Sequence, residues 1–245
     1  MIGVGDNIPV RNLGSAARAC SVGAVIALSV LVSGCTDVVS GSAVRDADAV
    51  PLDVPPLAES QLEDVLLTVD ELNSIVGSST MEVVSESDEL ADNSLIVSDP
   101  DCLGAVYGAE EQVYGSAWSA VRDQIIREPG DEKEHWAQQT VAVYPSARAA
   151  QKFLADSTSD WEQCGGFSVT VDDGQSTYIW QLEAADSTDD IITQVVIQED
   201  SDGWECQHAL SAVSNVTIET WACAVGVDDE AVEMARRLVS HVAEQ

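Results

Sequence analysis

Two strand-like runs near the C-terminus restrict the fold most strongly, because each carries one cysteine and only two residues separate them. Trp204–Val213 and Val216–Ala224 flank Ser214-Asn215, which suits a two-residue hairpin loop. In that register Cys206 lies directly opposite Cys223. If the residues beside the loop form a hydrogen-bonded pair, the cysteines occupy a non-hydrogen-bonded site with Cα atoms about 4.5 Å apart, within disulfide range. A four-residue loop would keep them opposed and change only the hydrogen-bonding class. We therefore predict a Cys206–Cys223 disulfide.

The other cysteines fit an exported protein. Cys20 lies in the N-terminal leader described next, so Cys102 and Cys164 are left to pair with each other. An even number of cysteines in an exported chain is typical of disulfides. The spacings contain no CxxC pair of the kind that zinc sites use. We expect Cys102–Cys164 as the second bridge, with no metal site and no cofactor.

The N-terminus has the pattern of a lipoprotein signal peptide. Arg11 and Arg18 precede the weakly polar to apolar run Cys20–Val32, which is shorter than the roughly 20 residues that a membrane-spanning helix needs. The sequence Val32-Ser33-Gly34-Cys35 resembles the lipobox of bacterial lipoproteins, which implies a diacylglyceryl group on Cys35 and cleavage before it. The alternative is an ordinary cleaved signal peptide with an incidental cysteine. We assign residues 1–34 to a lipoprotein signal peptide and expect Cys35 to anchor the protein at the extracytoplasmic face of the cell membrane.

The segment after the anchor is predicted to be a spacer. Residues 35–59 comprise the acylated cysteine and a stretch with Pro51, Pro55 and Pro56 but no helical or alternating hydrophobic period. Such a composition favours a disordered tether. At about 3.1 Å per residue it reaches on the order of 70 Å, enough to lift a domain clear of the lipid.

The charge is strongly one-sided. There are 43 acidic residues against 10 basic residues, for a formal net charge of −33. This surface repels nucleic acid and anionic lipid head groups, so neither is an expected partner. Two interpretations remain open: a soluble, non-adhesive surface, or attraction of cations and basic ligands.

The hydrophobic patterning predicts an α+β fold with a mainly antiparallel sheet flanked by helices. We expect a single helix from about Ser60 to Gly77, a second opened by Ser146, and a last one capped by Asp228. A turn is expected at Asp186–Asp190, and the stretch Ser98–Gly115 has no clear pattern. The predicted strands are Met81–Val84, Trp118–Ile126, His135–Tyr144, Phe167–Val171, Thr177–Glu183, Ile191–Gln198, Trp204–Val213 and Val216–Ala224.

No recognised catalytic motif is present in the sequence. In the hairpin register His208 lies opposite Trp221, on the same face as Cys206 and Glu219. His208 is interpreted either as a packed core histidine or as a cleft residue; in the second case His208, Trp221 and Glu219 form a ligand-binding group. The six tryptophans are expected to be mainly core anchors, with some lining a cleft. The acidic Gly-containing turns near residues 172–174 and 200–203 do not complete a calcium loop.

Several short motifs follow one another in a fixed order: Cys102, Val141–Ala150, Trp161–Cys164, Cys206 with Ala209-Leu210, Asn215–Ile218 and Ala222-Cys223. This order resembles the PknH-like extracellular domain, the sensor domain of a mycobacterial receptor serine/threonine kinase. Similar domains occur alone in actinobacterial lipoproteins. The resemblance covers roughly residues 60–245, which we assign to the sensor domain. It implies an antiparallel sheet with helices, two disulfides and a cleft for an unidentified ligand.

These observations lead to one main hypothesis and two alternatives. The main hypothesis is a non-catalytic ligand-binding or sensor-like domain at the cell envelope, whose ligand is a small molecule, a wall glycan or a partner protein. No kinase domain or transmembrane helix is evident, so we expect ligand capture or display and not signalling by this chain alone. The first alternative is a structural or protein-interaction module without a small ligand. The remote alternative is an envelope hydrolase, which would need a carboxylate pair or a Ser-His contact; two buried, close carboxylates in a groove would support it. The oligomeric state is not predicted.

Overall fold

An antiparallel sheet of nine strands organises the domain. The computed structural model describes residues 54–130, 134–188 and 190–245. Within them the elements, in chain order, are α1 (Leu62–Val65), α2 (Val69–Val76), β1 (Glu82–Ser87), α3 (Leu103–Val106), α4 (Glu111–Tyr114), β2 (Ala120–Arg127), β3 (His135–Val143), α5 (Ala147–Cys164), β4 (Ser168–Asp172), β5 (Thr177–Leu182), β6 (Asp186–Thr188), β7 (Ile191–Gln198), β8 (Trp204–Val213), β9 (Val216–Val225) and α6 (Glu230–Ala243). The predicted α+β class is confirmed.

The order of strands across the sheet is β1-β2-β3-β9-β8-β7-β5-β4, with β6 paired to β7. Every pair of these strands is antiparallel. The chain therefore crosses the sheet after β3, and β9 returns to lie between β3 and β8. This non-sequential pairing places residues from distant parts of the sequence on one face.

The two faces of the sheet have different covers, because successive side chains of a strand point to opposite sides. On one face Ala137 and Val141 of β3 pack with α1, α2 and α6. On the other face Trp136 and Ala142 of the same strand pack with α3 and α5. The second face also carries the candidate site described below.

Both disulfides are present with the expected pairing. Cys102 and Cys164 join the segment before α3 to the end of α5, with Cα atoms 5.7 Å apart. Cys206 and Cys223 face each other across β8 and β9, with Cα atoms 4.0 Å apart. The hairpin register derived from the sequence is confirmed along the whole strand pair.

The prediction of one helix up to Gly77 is wrong, because the helix is interrupted between α1 and α2. At the break Gln139 of β3 binds the backbone: its Oε1 accepts from the Leu67 N–H at 2.8 Å and its Nε2 donates to the Leu67 carbonyl at 3.0 Å. Thr68 then caps α2 by accepting from the backbone N–H of Glu71. The predicted end at Gly77 is confirmed, since this residue adopts a left-handed φ of 76°.

The last helix also begins differently from the prediction. Asp228 does not cap it; the preceding residue of α6 is Asp229, which makes no side-chain cap. The backbone N–H groups of the first turn instead find their acceptor in the sheet. Gln207 Oε1 accepts from the N–H groups of Ala231 and Val232 at 3.0 and 3.2 Å. A buried strand glutamine thus performs the capping function that the sequence suggested for an aspartate.

Other departures from the prediction are local. The expected turn at Asp186–Asp190 contains the short strand β6, which pairs with β7. The unassigned stretch Ser98–Gly115 folds into short helices. The expected strand at Met81–Val84 starts one residue later and continues to Ser87 as an edge of the sheet.

The last residues of the expected tether belong to the folded domain. Leu57 is buried, its N–H donates to Asn215 Oδ1 at 2.7 Å, and its carbonyl accepts from Asn215 Nδ2 at 3.1 Å. The asparagine of the hairpin loop therefore fixes the start of the domain. The predicted signal peptide 1–34, Cys35 and most of the tether lie outside the described residues. Among the described helices, none combines the length and apolar character needed to cross a membrane.

Candidate functional site

A cleft of about 850 Å³ opens on the face of the sheet that also carries α5. Its floor is formed by side chains from seven strands, β1, β2, β3, β5, β7, β8 and β9. Its rim is formed by the segment between β1 and α4, including Leu90, Asn93 and Tyr107. The volume falls within the 300–1,000 Å³ that small-molecule sites usually have.

Four of the six tryptophans line this cleft. They come from four strands: Trp136 from β3, Trp180 from β5, Trp204 from β8 and Trp221 from β9. The first three are partly exposed, whereas Trp221 is 3% exposed. Tryptophan combines a large apolar surface with one N–H donor, so such walls suit ligands with a planar or apolar body.

The strand register explains why these residues meet. Trp136 is opposite Cys223, which is opposite Cys206, and Cys206 is opposite Val196. All four line the cleft, so one row of paired positions crosses four strands with the disulfide in the middle of the floor. The disulfide thereby connects the two central strands beneath the site.

The three ligand-binding residues predicted from the sequence are brought together, but only Trp221 lines the cleft. The His208 ring lies between Trp161 and Trp221, with ring centroids 3.9 and 3.7 Å away. His208 is fully buried, Glu219 is 4% exposed, and neither belongs to the cleft lining. These two residues therefore support the floor from behind.

Glu219 links the sheet to the rim of the cleft. Its carboxylate accepts hydrogen bonds from His208 Nε2 at 2.8 Å, from the Tyr114 hydroxyl at 2.7 Å and from the Ala109 N–H at 3.0 Å. Burial lowers the pKa of His208, and the contact with Glu219 opposes that shift. Burial raises the pKa of Tyr114, so its hydroxyl remains a donor. This network holds the rim segment against β9.

Two further buried carboxylates belong to the site and were missed by the sequence analysis. Asp123 of β2 lines the cleft, and its Oδ1 accepts from Gln138 Nε2 at 2.8 Å and Thr140 Oγ1 at 2.6 Å. Glu110, behind the rim, accepts from the N–H and the side-chain amide of Asn93. Burial raises the pKa of both carboxyl groups. The sequence did contain one sign of the missed residue Asp123, since an aspartate between Val121 and Ile125 interrupts the apolar residues on that face of β2.

Each of the three buried carboxylates accepts hydrogen bonds from the chain itself. Glu219 receives three hydrogen bonds and Glu110 receives two, so each already holds the chain together. Within the described residues, no group of three His, Cys, Asp or Glu side chains is placed to hold a metal ion.

Comparison with known proteins identifies the family of this domain. The profile of the PknH-like extracellular domain matches residues 57–241. The chain is 36% identical over 188 residues to the serine/threonine-protein kinase PknH of Mycobacterium bovis and to that of Mycobacterium tuberculosis. These matches cover 76% of this chain but 32% and 30% of the kinases. The chain belongs to the PknH-like extracellular domain family. It spans about a third of the length of these curated relatives.

A solved structure of this family has the same fold. The crystal structure of the extracellular domain of PknH from Mycobacterium tuberculosis superposes with a TM-score of 0.75 at 35% identity, covering 79% of this chain and 100% of that one. The match therefore falls on the extracellular part of the kinase and includes no kinase domain. This chain carries an extracellular, sensor-like domain of the PknH type, which places the domain on the extracytoplasmic side of the membrane.

Proposed function

We propose that this PknH-like domain captures a ligand in the tryptophan-lined cleft at the cell envelope, without catalysing a reaction. The observation that carries the proposal is the convergence of Trp136, Trp180, Trp204 and Trp221 on one concave site of about 850 Å³. Large aromatic surface left partly open to solvent is unfavourable unless a partner covers it. A concave site of this size supports a small or medium-sized ligand over the alternative of a flat structural interface.

The lipid anchor remains part of the proposal. The lipobox-like sequence ending in Cys35 supports attachment to the outer face of the membrane, with the domain held at the end of the spacer. Full-length protein expressed in an actinobacterial host should partition into detergent and carry a diacylglyceryl mass on Cys35. Cys35→Ala should lose both properties. An unmodified Cys35 in the membrane fraction would contradict the anchor without affecting the cleft.

Ligand capture can be tested with Nile red, an uncharged dye whose emission rises in apolar surroundings. We expect saturable binding at one site by residues 54–245. Trp180→Ala and Trp204→Ala should each weaken it, because both rings line the cleft. Trp118→Ala is the matched control, since Trp118 does not belong to the lining and donates through Nε1 to the Gly115 carbonyl. Equal dye binding by all three variants would contradict a role for the cleft.

A further inference from the structure

The charges that line the cleft all have the same sign. Asp123 and Glu89 are its ionisable acids, and no Lys, Arg or His is among the described residues of the lining. Glu219 and Glu110 lie behind the floor and the rim and are themselves buried. An anionic ligand would therefore meet carboxylates without a compensating cation in the lining.

One carboxylate oxygen of Asp123 receives no hydrogen bond from the described residues. The residue is 8% exposed, and its Oδ1 already receives the hydrogen bonds of Gln138 and Thr140. Among the described residues nothing donates to its second oxygen, Oδ2. The open Oδ2 at the cleft wall thus fits a donor from outside the domain.

Desolvation makes this position selective for a positive charge. Burial is the main cause that raises the pKa of Asp123, and the nearby charge of Glu219 raises it further. Both effects express the same fact: the negative charge here lacks a counter-charge. A bound cation would supply it, and the tryptophan rings that line the same cleft attract cations through their faces.

We infer that the ligand carries an ammonium group on an apolar or planar body, with the ammonium at Asp123 Oδ2 and the body against the tryptophans. This inference rests on the proposed function and adds the chemical class of the ligand. The rim approaches the floor beside Trp221 closely because residue 108 is glycine: a Cβ there would lie 2.7 Å from Trp221 Nε1 and 3.1 Å from Gln138 Oε1.

Three probes of the same shape and different charge test the inference: 2-phenylethylamine, 2-phenylethanol and phenylacetate. Dissociation constants for residues 54–245 would be measured at neutral pH by ligand-detected NMR titration. The amine should bind about ten-fold more tightly than the alcohol, and phenylacetate should bind most weakly. The preference should fall with added salt, because it is electrostatic.

Asp123→Asn is the decisive variant. Its side-chain oxygen can still accept from Gln138 and Thr140, so the fold should persist while the charge is lost. We expect the amine to bind no better than the alcohol in this variant. Asp70→Asn removes the same charge from an exposed position of α2, the helix that packs on the opposite face, and should keep the preference.

The outcomes separate this inference from the proposed function. If the alcohol binds the wild-type domain as tightly as the amine, or if Asp123→Asn keeps the preference, the ammonium inference is wrong, while saturable Nile red binding would still support a ligand cleft. Failure of the three probes and of Nile red to bind would overturn both.

Discussion

The indole of Trp221 stacks on the imidazole of His208, with ring centroids 3.7 Å apart and planes inclined by 19°. Trp221 forms part of the cleft wall, whereas His208 is buried and bound to Glu219 at 2.8 Å. Glu219 in turn holds the N–H of Ala109 on the rim. The floor and the rim of the cleft are therefore connected through one buried histidine–glutamate pair. A change in that pair should affect both the stability of the domain and the shape of the site.

The buried histidine should make stability depend on pH. Burial lowers the pKa of His208 below its ordinary value of 6.5, so between the lowered pKa and 6.5 the unfolded chain binds the proton and the folded domain does not. The contribution of His208 is thus fully present above pH 6.5 and is lost as the pH falls towards the lowered pKa. The free energy of unfolding, measured by urea titration between pH 7.5 and 5, should decrease.

His208→Gln isolates this contribution. Glutamine can still donate to Glu219 but does not titrate in this range, so the variant should be less stable overall and should lose less stability between pH 7.5 and 5 than the wild type. The raised pKa values of Asp123 and Glu110 act equally in both proteins and cancel in the comparison. Parallel pH profiles for the two proteins would show that His208 does not couple folding to protons.

Gly108→Ala should destabilise the domain by about 1–3 kcal/mol, the usual cost of overpacking. The reason is contact: the added Cβ would lie 2.7 Å from Trp221 Nε1. Trp221→Phe removes that nitrogen, so the double variant should be more stable than the sum of the two single changes predicts, by at least about 0.5 kcal/mol. Additive effects in urea unfolding would mean that Gly108 and Trp221 are not in contact in solution.

The strands of the C-terminal half were predictable because their patterns are local. Both β7 and β8 have the predicted bounds, and the register of β8 with β9 follows from a two-residue loop. That register alone placed Cys206 opposite Cys223. The same short-range information also showed correctly that His208 and Trp221 share a face.

The cleft could not be predicted in the same way, because it depends on long-range pairing. Trp136 lies in the floor because β3 pairs with β9. Trp180 lies there because β5 pairs with β7. Neither partnership has a short loop to fix it. The interruption of the first helix did have a local signal, the capping box of Thr68 and Glu71, but the bond of Gln139 to Leu67, 72 residues away, did not. Side chains that satisfy distant backbone groups leave no periodic signal in the sequence.

Gln207→Ala should shorten or destabilise the start of α6. Two backbone N–H groups, those of Ala231 and Val232, would lose their acceptor, and the loss of a helix cap typically costs about 1–2 kcal/mol. Urea unfolding should show this decrease, and hydrogen exchange of the Ala231 amide should accelerate. Gln163→Ala is the matched control: this glutamine is exposed on α5, and among the described residues its side chain bonds only to Ser159, four residues earlier. A similar effect of both substitutions would contradict the capping role.

Removal of the two disulfides should have unequal effects on stability. Cys206 and Cys223 are 17 residues apart in sequence, whereas Cys102 and Cys164 are 62 apart. In the chain-entropy description, cross-linking the shorter loop contributes about 3 kcal/mol and the longer loop about 4 kcal/mol. All four sulfur atoms belong to residues that are at most 5% exposed, so the packing lost on replacement by alanine is similar. The Cys102→Ala/Cys164→Ala variant should therefore be the less stable of the two in urea, by about 1 kcal/mol.

The two disulfide-deficient variants should rank in the opposite order for Nile red binding. The Cys206–Cys223 disulfide lies in the floor of the cleft, whereas neither Cys102 nor Cys164 belongs to the lining. Replacing Cys206 and Cys223 by alanine should therefore weaken Nile red binding more than replacing the other pair, although it costs less stability. If the pair with the larger loss of stability also showed the larger loss of dye binding, both effects would reflect global loosening of the domain and not the position of one disulfide beneath the site.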